Sequence, residues 1–172
     1  GGTDSQAISV TVTSAALKLH IKVVLQGAYE SDTQLMHDTL RTKGLLPISQ
    51  PFTNLLGYTG SDTVLPSVLN TAGNDAPVDW VLIEVRSATT PSQVLMRIPG
   101  LVQRDSDVIN PSTGSNDLNI TGLVPGSYHV AIRHRNHLGV ITATPVSLLS
   151  GSLTLVDFVA NTTVVSGTNA RL

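Results

Sequence analysis

The sequence predicts an all-β domain, an antiparallel sandwich of about seven to nine short strands, on three observations. Apolar and polar residues alternate with period two along most of the chain. Pro, Gly, Asn and Asp separate the alternating stretches at close intervals, as in sandwiches rather than parallel α/β sheets. Helical signals are confined to one short segment.

The first alternation covers residues 8–13, with Ile8, Val10 and Val12 on one face and hydroxyls on the other. The second covers residues 17–25, with Lys18, His20 and Lys22 facing away from the apolar set. Residues 78–86, 94–98, 118–120, 127–134, 146–149 and 153–158 read as further strands. Within 78–86 the pattern puts Val81, Ile83 and Val85 on one side and Trp80, Glu84 and Arg86 on the other. Residues 28–76 differ. Asp32 is placed to cap a short helix carrying Leu35, Met36 and Leu40, ended by Gly44. From Leu45 to Asp75 no period is sustained, and a stretch this long is unusual in a compact domain. It holds Leu45, Leu46, Phe52, Leu55 and Leu56, too many apolar residues for a mobile lid, so we expect it to pack over one end of the sandwich. The predicted organisation is an N-terminal strand and linker at 1–16, one sandwich domain at 17–160 with the insertion at 28–76, and a C-terminal linker to a downstream region at 161–172.

Composition narrows the function. Charged residues are 13% of 172 against roughly 25% in an average soluble domain, so the surface is neutral and hydroxyl-rich, with 17 Ser and 20 Thr. A net charge of −2 supplies no field for a nucleic-acid backbone or an anionic membrane. No stretch approaches ~18 consecutive apolar residues, so no membrane insertion is expected. The absence of cysteine removes disulfides, thiolate metal sites and thiol nucleophiles together. The start, Gly1-Gly2-Thr3-Asp4-Ser5, reads as an excised or processed segment of a longer chain.

The stretch Thr121-Gly122-Leu123-Val124-Pro125-Gly126-Ser127-Tyr128-His129-Val130 carries a strand through a Gly/Pro turn into another strand. It resembles the turn and strand of prealbumin-like sandwiches of the Cna-B or carboxypeptidase-regulatory type, a branch of Ig-like architecture. A wider set of segments, LQGAY, LRTKGLLP, PVDWVLIEVR, VLMRIPGLVQRDSDV, GLVPGSYHVAIRHRNHLGVITATPV and VDF, is similar to a module of large secreted surface proteins of Bacteroidota described as adhesin-like or haemagglutinin-like. That resemblance implies extracellular, cell-surface display and brings no catalytic residues with it. In that family the sequence past GTNA commonly runs on into Asp- and Asn-rich, dockerin-like calcium-binding repeats, which this sequence does not contain.

The densest polar segment is Arg133-His134-Arg135-Asn136-His137. If Tyr128, Val130 and Ile132 face inward, His134 and Asn136 continue that face at the rim, while His129, Arg133 and Arg135 point outward. Glu84 would then lie across from Arg133 or Arg135, with Arg104, Asp105 and Asp107 nearby. Two readings remain for this set. In one, Trp80 stacks on a sugar ring while Glu84, Arg86, Arg104, Asp105, Asp107, Arg133, His134, Arg135 and Asn136 bind its hydroxyls, making a lectin-like module for surface glycans. In the other, the charges form a cross-strand ladder worth about 0.2–1 kcal/mol per pair and the Trp is core.

Asp105, Asp107, Asn110 and Asp117 offer oxygens of the kind calcium takes, at a spacing that fits no EF-hand loop. His134 and His137, three apart on a strand, would face opposite ways, which argues against zinc. No Gly-x-Ser-x-Gly elbow and no phosphate-binding glycine loop occurs, and Glu30 and Glu84 are the only glutamates. We therefore read the chain as non-enzymatic and expect no cofactor. A Lys–Asn cross-link, known from some prealbumin-like modules, would need Lys18 or Lys22, Glu84 as the buried acid, and Asn136 or Asn161. Asp38-Thr39-Leu40 and Asp62-Thr63-Val64 resemble O-glycan acceptor patterns of that phylum. The leading expectation is a structural or adhesive building block of a surface protein or filament, contacting neighbouring domains or copies of itself.

Overall fold

A computed structural model describes residues 16–160 and 163–167. The expected strand at residues 8–13, and Asn161 of the conceivable cross-link, lie outside them. The described chain is all-β: strands in several sheets, with only short helical turns.

One sheet has three strands in the order β11-β1-β7, where β1 is Leu17–Lys22, β7 is Leu118–Ile120 and β11 is Leu153–Asp157. A second has six. Its main path runs β10 (Val146–Leu148), β8 (Gly126–Arg133), β4 (Pro77–Ser87), β5 (Val94–Gln103) and β6 (Val108–Ile109), and β9 (Val140–Ile141) also pairs with β8. The two sheets enclose the main core. Leu17, Leu19 and Ile21 of β1, Val81, Ile83 and Val85 of β4, Val130 and Ile132 of β8, and Val156 of β11 meet there, all nearly or fully buried. Burying each such side chain contributes about 1.5–3 kcal/mol relative to exposure. Period-two alternation thus produces the sandwich as the sequence implies. One pairing departs from the expected antiparallel rule: β1 and β11 run parallel, with Lys18 opposite Leu153 and His20 opposite Leu155.

The insertion builds a third layer. Leu46, Phe52, Val64 and Val68 pack on Trp80, Leu82, Leu101 and Ile109, the outward side chains of the six-stranded sheet. It covers part of a sheet face rather than an end of the sandwich. Leu46 and Phe52 are buried as anchors, whereas Leu45 is exposed. The expected Asp32-capped helix is not formed. Residues 29–36 are instead a hairpin of β2 (Tyr29–Glu30) and β3 (Leu35–Met36), turned by Gln34 at φ 57° with its N–H on the Glu30 carbonyl at 2.9 Å. The thioether of Met36 then accepts the Leu25 N–H at 3.2 Å inside the core, a demand a surface helix could not meet. The helical turn starts later, at α1 (Thr39–Thr42), and Gly44 does end it: at φ 66° it lets Leu45 and Leu46 both return N–H bonds to the Leu40 carbonyl. Two further four-residue turns, α2 (Thr53–Leu56) and α3 (Pro66–Leu69), complete the cover.

Candidate functional site

The predicted site residues do not converge. The fold divides them among three charged clusters, and Trp80 belongs to none of these. Its ring is fully buried beneath the insertion, and its indole N–H donates to the Pro47 carbonyl at 2.7 Å. A ring so enclosed cannot serve as a stacking platform for a sugar. The alternation placed Trp80 on the outer side of β4 correctly; what the pattern does not reveal is that the insertion covers that side.

The first cluster occupies the part of the outer sheet face around Glu84. Glu84, only 3% exposed, accepts bonds from Arg86 on one carboxylate oxygen and from Arg97 Nε on the other at 3.0 Å. Burial alone would raise its pKa; the hydrogen bonds and charges of Arg86, then Arg97, outweigh it and hold the carboxyl below its ordinary value. The expected partners Arg133 and Arg135 are not used. In the register Glu84 stands opposite Arg97 on β5 and Ala131 on β8, while Arg133 stands opposite Leu82. Arg97, which the sequence reading missed, was legible as the next outward position on the facing strand. His129, expected to point outward, is buried on that face, with Nδ1 2.8 Å from the Thr142 carbonyl.

The second cluster closes one end of the sandwich. Asp79 and His134, both nearly buried, meet across β4 and β8 with His134 Nε2 3.2 Å from Asp79 Oδ2, and Arg135 Nη2 reaches both Asp79 oxygens at 2.9 Å. His134 therefore does continue the inward face, but Arg135 folds back over the rim. His134 Nδ1 accepts the Asn136 backbone N–H at 3.1 Å, and His137 Nδ1 lies 2.9 Å from that same nitrogen. The two rings pack edge to face at 4.7 Å between centroids. They do not face opposite ways, because residues 134–137 leave the strand and bend back. His137 Nε2 in turn accepts the Gly27 N–H at 3.3 Å. In this network His134 Nδ1 is the acceptor for the Asn136 N–H, which leaves its Nε2 placed to donate to Asp79. Burial first, then the neighbouring His134, lowers the pKa of His137, against the pull of Asp79. Asp79 was missed as a site member; the 55-residue separation between Asp79 and His134 hides the pair from sequence reading.

The third cluster joins the β5–β6 turn to the three-stranded sheet. Asp107 pairs with Lys22, with His20 Nε2 at 3.0 Å and with the Asn116 amide at 3.2 Å. Burial opposes its ionisation, but the bonds from Lys22 and His20 prevail and lower its pKa. The Asp105 carboxyl is raised instead, by burial. Arg104 is a tie between segments, its Nε donating to the Met36 carbonyl at 2.9 Å and its Nη1 to that of Gly73 at 3.3 Å. Of the oxygens proposed for calcium, Asp107 is thus neutralised, Asp117 pairs with Lys18 at 3.3 Å, and Asn110 Oδ1 holds the Ser112 N–H at 2.8 Å. Among the described residues no group of three or more His, Cys, Asp or Glu is arranged to hold a metal ion. An open groove of about 300 Å³ runs beside this cluster, lined in part by Asp75, Gln103, Asp107 and Asn116.

The cross-link geometry is also absent for the described members. Lys18 and Lys22 lie on the outer face of the three-stranded sheet and Glu84 on the outer face of the six-stranded one, so the core separates them.

A different feature stands out around β11. This edge strand puts Leu153 and Leu155 on the outer face beside Lys18 and His20, 48% and 56% exposed. Leu149 and Val159, flanking β11 in the chain, are exposed as well, as is Val164, next to the Thr163 whose hydroxyl accepts the Asp157 N–H. No family model, no curated protein and no solved structure matches the chain.

Proposed function

We propose that this chain is a non-enzymatic, extracellular structural or adhesive building block that acts through protein–protein contacts, made with neighbouring domains or with further copies of itself. The sandwich is, on this reading, of the prealbumin-like, Ig-like kind, with the insertion as a fixed cover. The single observation that carries the proposal is the apolar edge: Leu149, Leu153, Leu155 and Val159 lie on or flank one edge strand that holds neither Lys nor Pro and whose one charge, Asp157, stands at its end. Proteins ordinarily protect such edges with charge, Pro or a covering segment, and an unprotected one is a pairing template. The three charged clusters support the same reading from the other side, since most of their charges are satisfied internally and hold the sandwich together. Surface display rests on the resemblance and on the low-charge, hydroxyl-rich composition.

The test is association in solution. Light scattering after size exclusion, over a hundredfold range of concentration, is expected to show growing assemblies for the unaltered chain and a weakened response for Leu155→Lys. A chain that stays monomeric throughout, unchanged by the substitution, would overturn the reading for self-contact.

A further inference from the structure

We infer that the free edge of β11 accepts residues 8–13 of a second copy of this chain as an added strand, so that copies join head to tail. This deepens the reading above and rests on it.

The acceptor is defined by what β11 lacks. It pairs with β1 on one side and, among the described residues, with no strand on the other. A strand laid there gains a row of backbone hydrogen bonds, with side chains falling alternately on the two faces. On the outer face it would meet Leu153 and Leu155. On the inner side it would meet Thr154, whose hydroxyl donates to the Ser147 carbonyl at 2.9 Å. Residues 8–13 carry a matching pattern: Ile8, Val10 and Val12 on one face, Ser9, Thr11 and Thr13 on the other. Apolar side chains would rest on leucines, and hydroxyls on the polar corner between β11 and β10.

The donor comes from a second copy because of how β1 begins. The β1–β11 ladder extends as far as Ala16, whose carbonyl accepts the Gly151 N–H at 3.3 Å. Upstream of that bond the chain on one side turns away toward β10, and β7, paired through Leu17 and Ile120, ends on the other. A continuation of β1 therefore finds no strand beside it in its own described fold. To reach its own β11 edge the chain would have to reverse within Ser14, Ala15 and Ala16 and cross over β11. Of those three residues only Ser14 is a common turn former, and a weak one.

Sedimentation velocity on the full-length chain tests this, using Val10→Pro, which spoils the donor, and Leu155→Lys, which spoils the acceptor. Each variant alone should associate at least tenfold more weakly than the unaltered chain. Their equimolar mixture should form a 1:1 heterodimer and grow no further, because one partner keeps an intact acceptor and the other an intact donor. Thermal unfolding checks that each variant folds, and Leu153→Lys replaces Leu155→Lys if that one does not. Association abolished by Leu155→Lys but untouched by Val10→Pro would overturn the inference and leave the β11 contact surface standing. No association of the unaltered chain, with no binding of a synthetic peptide of residues 5–14, would overturn both.

Discussion

The carboxylate of Asp79 holds His134 at 3.2 Å and Arg135 at 2.9 Å, so a residue near the start of β4 fixes the segment that follows β8. The Asp79 side chain is 7% exposed and that of Arg135 19%. Removing one member of such a pair leaves the other without compensation in a poorly solvated place. Asp79→Ala is therefore expected to cost about 3 kcal/mol, toward the low end for buried pairs because Arg135 retains some water. Urea denaturation at neutral pH measures it. A loss below about 0.5 kcal/mol would show that the pair is incidental.

The same network makes the fold acid-sensitive below about pH 6.5. His137 is lowered from its ordinary value near 6.5 by burial and by His134. The unfolded chain therefore binds this proton more readily than the folded one, and stability rises with pH wherever that difference exists. The contribution is fully present above about 6.5 and erodes as pH falls below it, toward the lowered folded pKa. Protonation would put a hydrogen on His137 Nε2 against the Gly27 N–H and break the link to the residues after β1. Unfolding free energies measured from pH 7.5 to 5 should decline, and His137→Ala should flatten that slope. An unchanged slope in the variant would assign the effect elsewhere.

How far the sequence discloses all this depends on the range of the interaction. Strand faces are local, and the inward Val81, Ile83 and Val85 follow from alternation alone. The apolar content of the insertion likewise betrays a packed cover. Which side it covers is a matter of tertiary placement, so nothing local separates a Trp80 in solvent from one under Phe52 and Leu46. Pairing is longer-ranged still. Glu84 could be given an arginine partner from sequence, but only the register of β4 with β5 chooses Arg97 over Arg133. The parallel β1–β11 pair and the Asp79–His134 contact join residues far apart in the chain, with no local signal. The failed helix at Leu35–Met36 shows tertiary demand overriding propensity, since Met36 is drawn into the core.

Trp80 gives a direct optical check on the third layer, because it is the only tryptophan. Its ring, sealed beneath the insertion, should emit at short wavelength and resist quenching by iodide. Trp80→Phe leaves the Pro47 carbonyl without its donor, a cost of about 1–3 kcal/mol. Trp80→Ala adds a cavity and should cost about 3–5 kcal/mol. Emission typical of a hydrated indole would refute the buried placement and return the ring to the sugar-binding reading.

Glu84 separates a second, more acidic transition from that of His137. Its carboxylate is held low because Arg86 and Arg97 together overcome the penalty of burial. A depressed carboxyl stabilises the fold above its ordinary value near 4.5, and the contribution is lost as pH falls from there through the folded pKa. Asp38, bound by Arg41, and Asp107, bound by Lys22 and His20, are depressed too and act from their ordinary 3.8 downward. Acid unfolding should therefore have two parts, a gentle one below 6.5 and a steeper one below about 4.5. Glu84→Gln replaces one acceptor oxygen by an amide that must face an arginine donor, while Arg86 and Arg97 keep partial contact with water. The substitution should cost about 1–3 kcal/mol at pH 7 and distinctly less at pH 3, where the carboxyl of the unfolded chain is already protonated and the native charge contributes less to stability. Denaturation of both forms at the two pH values measures the difference. Equal costs at pH 7 and pH 3 would mean that shape, not charge, makes Glu84 matter.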